Sequence, residues 1–215
     1  MKYIFLIPIL ALTLQANPHN SQKNNLYFNE NEQMTMPEEI SINQQILDAM
    51  NAPMQGTSMS CNINNDFLSD MIPHHQGAIN SSKLYLQVGK DKDLKKIAND
   101  IIKSQEQEIE YFNELLEIIS QEEKINCEDL SYQNYQMQVK EDMDKMMSTM
   151  HAVQISDNID LDFAKAMIAH HQGAIDSSKS ILKFTQNPQI QEIANNIIKT
   201  QEQEIAAMNK IISSK

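Results

Sequence analysis

Two stretches of the chain set adjacent histidines among apolar residues, three and four positions after a methionine. They are MIPHHQGAI, beginning at Met71, and MIAHHQGAI, beginning at Met167. On a helix, Met71 lies one turn ahead of His75 and slightly less ahead of His74, so a single face presents one thioether and two imidazoles. Met167, His170 and His171 repeat the set. Further on, each stretch is followed by a Gln-x-x-Glu: Gln105 with Glu108, and Gln201 with Glu204. On their helices these residues fall near the centre of an apolar stripe. A buried carboxylate is costly unless it is paired, and the histidines of the neighbouring helix are available to pair with it. One outcome is a set of satisfied core hydrogen bonds with His donating to Glu. The other, preferred because the arrangement occurs twice, is a metal site, where coordination offsets the cost of so many polar groups in a short core.

The donor types select the metal. Thioether sulfur is soft and favours Cu(I), imidazole accepts copper readily, and neither suits Ca²⁺ or Mg²⁺. Zinc prefers Cys, His and carboxylate. A di-iron centre needs Glu-x-x-His on two helices, which this sequence lacks. Copper as Cu(I) is therefore the expected ion. Met71, His74, His75, Met167, His170 and His171 are the expected ligands, with Gln105, Glu108, Gln201 and Glu204 orienting them from behind. A further group, Met143, Met146, Met147 and Met150 beside His151, is either an auxiliary copper-acquiring face or an oily stripe covering the bundle; the stripe is favoured. Met208 is a further auxiliary candidate.

The elements that position these residues follow from an internal repeat. DFLSDMIPHHQGAINSSKLYL from Asp66 aligns with DFAKAMIAHHQGAIDSSKSIL from Asp162, and IANDIIKSQEQEI from Ile97 with IANNIIKTQEQEI from Ile193, at a constant offset of 96 residues. Met50 and Met54 pair with Met146 and Met150 at the same offset. The periodicity predicts a helix from Asn64 or Asn65 to about Val88, ended by Gly89 in the left-handed conformation, with Pro73 kinking it. A second helix starts after Asp91 and reaches about Ser120. In the second repeat the corresponding cap is Asn187, followed by Pro188. Shorter Met-containing helices, about 42–54 and 135–153, precede the two hairpins. No stretch alternates in steps of two, so the fold is read as all-α: a four-helix bundle made of two tandem helical hairpins. The expected organisation is a signal peptide over 1–16, a flexible polar leader over 17–40 that contains Met34 and Met36, repeat one over 41–120, a connection over 121–134, and repeat two over 135–215.

Composition bounds the function. A formal net charge of −12 over 215 residues argues against nucleic acid or an anionic membrane as partner and is compatible with cations. The apolar run from Tyr3 to Leu14 is short for a permanent span and has the order of a secretory signal with cleavage after Ala16, so no membrane insertion is expected once it is removed. In an oxidising compartment such as the periplasm, Cys61 and Cys127, the chain's two cysteines, are expected to form one disulfide.

At the motif residues the chain resembles the CopM-type family of exported copper-binding proteins. An acidic residue and a phenylalanine precede Met-Ile-x-His-His-Gln-x-Ala-Ile, and Gln-x-x-Glu-Ile-x-x-Met follows, covering Asp66 to Phe112 and Asp162 to Met208. The resemblance implies a ferritin-like helical bundle and metal binding at Met71, His74, His75, Met167, His170 and His171. The chain departs from the family where Ser81-Ser82 and Ser177-Ser178 replace Met-Ala, and where Phe112 stands at the position of the final methionine. Site one is accordingly expected to be weaker than site two. The expected function is to sequester or hand on Cu(I) in the periplasm without turnover, with a copper transporter or other periplasmic copper proteins as partners. Two alternatives are a ferritin-like redox enzyme and a helical interaction module that binds no metal.

Overall fold

A computed structural model describes residues 40–54, 56, 58–121 and 126–214. The segment read as a signal peptide, and all but the last residue of the leader with Met34 and Met36, lie outside the described residues. Six helices and no strand are found among the described residues: α1 (Ile42–Asn51), α2 (Ile63–Val88), α3 (Lys92–Ile119), α4 (Leu130–His151), α5 (Ile159–Ile181) and α6 (Pro188–Ser213). Each is opened by a polar side chain that accepts from backbone N–H groups left over in the first turn. These caps are Ser41, Asn62, Asp91, Asp129, Asn158 and Asn187.

The sequence-based boundaries require three corrections. The helix α2 starts earlier than expected because Asn62, rather than Asn64 or Asn65, accepts from the N–H groups of both of those residues. Gly89 has φ −59°, which is not left-handed. Glycine is required there for space, since a Cβ would overlap the Tyr85 ring. The helix α2 runs through Pro73 without a break. Lastly, the connection expected over 121–134 ends at Asp129, whose carboxylate caps Ser131. The helix α4 that follows is 22 residues long, so it is not a short helix but nearly the length of the bundle helices.

The hairpins α2–α3 and α5–α6 pack on each other through α2 against α5 and α3 against α6, forming the four-helix bundle. Outside it, α1 lies on α2 and α5, and α4 lies on α5. Glycines permit these outer crossings: a Cβ at Gly77 would overlap the Met50 carbonyl oxygen, and one at Gly173 would overlap the Met146 sulfur. Buried carboxylates fasten the outer elements. Asp66 accepts from Tyr132 Oη (2.7 Å), Gln136 Nε2 (3.0 Å) and the Ser60 N–H (2.7 Å). Its repeat-two counterpart, Asp162, accepts from Asn43 Nδ2 and from the N–H and hydroxyl of Ser156. Asp160 accepts from Tyr85 Oη at 2.7 Å, and the Tyr85 ring stacks on Phe163 at 3.9 Å. Cys61 and Cys127 are joined as a disulfide, tying the loop before α2 to the connection before α4.

The apolar core is divided. One cluster joins Tyr85, Leu94, Ala98 and Ile101 to Phe163, Met167 and Met208; the other joins Phe67, Leu68 and Met71 to Phe112, Leu115 and Ile190. On every bundle helix the break falls between the same two turns. It holds His74 and His75 on α2, Gln105 on α3, His170 and His171 on α5, and Gln201 on α6. A polar layer therefore crosses the waist of the bundle.

Candidate metal centre

At the centre of that layer the two helices bearing the doublets, related by the repeat, bring His74 and His170 face to face, with ring centroids 3.8 Å apart. The α-helical pitch explains the placement, because residues 74 and 75 are 100° apart and straddle the inward direction. The first of each doublet meets its counterpart across the bundle, and the second meets the neighbouring helix of its own hairpin. His75 Nε2 is 2.8 Å from Glu108 Oε2, and His171 Nε2 is 2.8 Å from Glu204 Oε2, the latter outside hydrogen-bond geometry. Within each doublet the ring centroids are 6.2 Å apart.

All four imidazoles are buried, and His74, expected at the edge of its stripe, is only 7% exposed. Burial holds the pKa values of His74 and His170 well below the ordinary imidazole value. The proximity of the other histidines acts in the same direction. Both rings are therefore neutral at physiological pH and carry a lone pair on one nitrogen. Neither nitrogen of His74 and neither of His170 makes a hydrogen bond of normal geometry, each ring having only a weak contact with the backbone of the other, and Nδ1 of His75 and of His171 is unpartnered. An Nε2–H donated by His75 to Glu108 fixes the tautomer that leaves Nδ1 as the lone-pair atom. Gln105 and Gln201 are buried with both amide atoms unpartnered. Buried polar atoms are almost always satisfied, so this concentration of unsatisfied donors and acceptors in one layer fits a group that binds there.

Met71, Met143 and Met146 line the same cavity as His74, together with Met54. Met167 and Met208 are fully buried in the core cluster that also holds Met50, Met146 and Met150. The oily-stripe reading thus fits Met150, while Met143 and Met146 reach the histidine layer. Met147 is half-buried against the core, and His151 is exposed on the last turn of α4. At the position where repeat two has Met208, the Phe112 ring packs 5.5 Å from His75, so ring carbon replaces sulfur. Ser82 and Ser178 are buried with unpartnered hydroxyls; of the serines that stand in place of methionine, Ser81 donates to the Ala78 carbonyl and Ser177 lines the cavity. No three His, Cys, Asp or Glu side chains among the described residues converge into a metal-holding group. Thioethers are the further donors within the same cavity, and they favour soft cations over hard ones.

Two cavity residues were not anticipated from the sequence. Asp70 and Asp142 line the wall beside His74. Burial raises Asp70 to about 6, opposed by its bond from Ser58. The constant repeat offset gave no cue to either one, because their counterparts are Ala166 and Ile46.

Among the described residues no helix is long and apolar enough to cross a membrane. The sequence profile of a family described as a domain of unknown function, DUF305, matches residues 64–212. Solved structures share the fold. A silver-bound form of CopM is 26% identical, with a TM-score of 0.53, over 70% of this chain and 96% of that one. A Cu(I)-bound form of CopM is 24% identical with a TM-score of 0.52 over the same shares. A DUF305 fragment from Deinococcus radiodurans is 20% identical, with a TM-score of 0.52, over 75% of this chain and all of that one. An uncharacterised protein of Acanthamoeba polyphaga mimivirus is 45% identical over 51 residues, and the match spans about a third (34%) of that protein's length.

Proposed function

The chain belongs to the DUF305 family, and from that premise we propose that it is a binding protein for Cu(I), holding the ion at the waist of the bundle and releasing it without turnover. The observation that carries the reading is the His74–His170 pair: two neutral rings, 3.8 Å apart, buried, and with no hydrogen bond of normal geometry at any of their nitrogens. Thioethers border the same space. The likeness to CopM, solved in silver-, Cu(I)- and Cu(II)-bound forms, supports copper as the ion, and the choice of Cu(I) rests on the thioethers. Exchangeable thioethers beside imidazoles suit transfer between ligand sets, as required of a protein that sequesters copper or hands it on to an exported acceptor or a transporter. The periplasm is the compartment that the signal-like N-terminus and the disulfide support.

The test is anaerobic competition for Cu(I) between the purified chain and a coloured chelator, with ascorbate as reductant. The wild type is expected to withdraw copper at micromolar concentrations, and His74→Leu with His170→Leu to lose most of that capacity. Failure of the wild type to compete overturns the reading. Oxygen consumption on adding reduced copper should not rise above background; a sustained rise would make the protein an oxidase instead.

A further inference from the structure

The His74–His170 pair is nearly symmetric, but its two sides are covered differently. Beside His74 lies a cavity of about 40 Å³ between α2 and α4. That is room for roughly two or three waters, or an ion that has kept part of its hydration, and too little for an organic ligand. Gly56, which is exposed, stands at its rim. Inside are the carboxylates of Asp70 and Asp142 and the thioethers of Met143, Met71 and Met146. Asp142 receives one hydrogen bond, from Gln138 Nε2 to Oδ1 (3.1 Å), while its Oδ2 is buried without a partner. Asp70 Oδ1 accepts from the Ser58 N–H at 2.7 Å. The His74 ring lines the same space, buried and with no hydrogen bond of normal geometry at either nitrogen.

On the other side the repeat replaces both carboxylates and one of the thioethers with hydrocarbon. The counterparts of Asp70, Asp142 and Met143 at the 96-residue offset are Ala166, Ile46 and Leu47. All three are buried in the apolar core, at 0%, 2% and 6% exposure. A hydrated cation approaching His170 from there must shed its water into alkyl groups; one approaching His74 meets carboxylates.

We propose that this acidic cavity between α2 and α4 is the port through which a soft monovalent cation reaches the buried histidines, and that the equivalent face between α5 and α1 is closed to it. The proposal rests on the copper-binding reading and adds a route and a direction to it. The route offers hard, soft and borderline donors. Carboxylate oxygens attract a hydrated cation but hold Cu(I) weakly, thioethers hold it better, and His74 stands at the inner end. The negative potential of the two carboxylates raises the local cation concentration, so their effect belongs to the rate of loading and not to final affinity.

The experiment is stopped-flow transfer of Cu(I) to the full chain from a coloured, weakly binding chelator, comparing wild type with Asp70→Asn/Asp142→Asn and with Asp142→Asn alone. Asparagine retains an oxygen for Gln138 and for the Ser58 N–H, and far-UV circular dichroism checks that each variant is folded. For the double variant we expect a loading rate lower by at least about 10-fold, with its dependence on ionic strength largely gone, and equilibrium affinity and stoichiometry within about two-fold of wild type. The single variant falls between. Equal loading rates overturn the port. So does a parallel loss of equilibrium affinity or of one bound ion, which would make the carboxylates ligands of the stored metal. The equilibrium competition of the wild type judges the binding reading separately, so the port can fail while copper binding stands.

Discussion

If the waist is built for an ion, its polar groups are a liability without one, and replacing His74 and His170 together by leucine should make the metal-free protein more stable. Each ring is buried and no hydrogen bond of normal geometry reaches its nitrogens. Burying such a group costs about 1–3 kcal/mol, so the two together cost roughly 2–6 kcal/mol. Against this, the substitution gives up the ring pair at 3.8 Å, worth about 1 kcal/mol. Leucine is close enough in size to refill the space for a cost typically under about 1.5 kcal/mol. The balance is a gain of about 2 kcal/mol, or a rise in Tm of roughly 4–8 °C for a domain of this size. Thermal unfolding followed by circular dichroism at pH 7.5, with chelator present, measures it. Excess Cu(I) should then separate the two proteins in the opposite sense. At about 1,000 times Kd a bound ion adds about 4 kcal/mol to the wild type and nothing to the variant. The control is His75→Leu, which removes a partner from Glu108 instead of an unsatisfied ring; it should lower metal-free stability by about 1 kcal/mol. If the double variant melts below wild type by more than about 2 °C, the rings are structural groups and the argument from unsatisfied atoms fails.

Metal-free stability should also fall on acidification. His74 and His170 have folded-state pKa values depressed by burial below the ordinary 6.5, so below pH 6.5 the unfolded chain binds protons that the folded chain refuses. Stability is then lost as pH drops, at up to about 2.7 kcal/mol per pH unit for the pair. Asp70, raised to about 6, takes up a proton more readily when folded and partly opposes the loss below that pH. Urea midpoints between pH 7.5 and 5 that stay flat would contradict this. Gly77→Ala should cost about 2–3 kcal/mol, because its methyl meets a backbone oxygen of Met50. Gly173→Ala should cost about 1 kcal/mol or less, because the obstacle is the flexible Met146 side chain; equal costs would refute the asymmetry. The disulfide closes a separation of 66 residues, and its loss in Cys61→Ser/Cys127→Ser should lower stability by about 4 kcal/mol, read from denaturant midpoints.

The sequence carried the bundle and the histidine layer for the same reason. Helical periodicity and a repeat with constant offset are local signals, and they locate which turns face inward without any knowledge of the partner helix. They placed His75 and His171 on the inward stripe, and Glu108 and Glu204 on the next helix, where the His–Glu contacts form. They left His74 at the edge of that stripe, because its burial depends on a second helix, α5, arriving at that angle. The cap at Asn62 was missed because several asparagines in a row offer equivalent local chemistry. Tertiary hydrogen bonds to Asp66 then fix the register. Gly89 was assigned to a left-handed residue where the demand is for space beside Tyr85. Asp70 and Asp142 were illegible for a different reason: they are distant in sequence, lie on different helices, and meet only in the cavity.

Duplication explains both the symmetric and the asymmetric parts of the site. A single hairpin of this sequence would expose its doublet histidines along an otherwise apolar face. Pairing two copies buries both faces and brings His74 against His170, making a two-sided donor set that neither copy has alone. Once the pair is buried, one open side suffices for loading, and a second would only admit water to a layer whose donors gain from a dry, low-dielectric setting. The substitutions that break the symmetry follow that logic. Repeat one keeps Asp70 beside its histidines, where repeat two has Ala166. Repeat two keeps Met208 where repeat one has Phe112. Carboxylates stand on one side only, while thioethers border the histidine pair on both: Met71, Met143 and Met146 beside His74, and Met167 and Met208 in the core cluster of the other repeat.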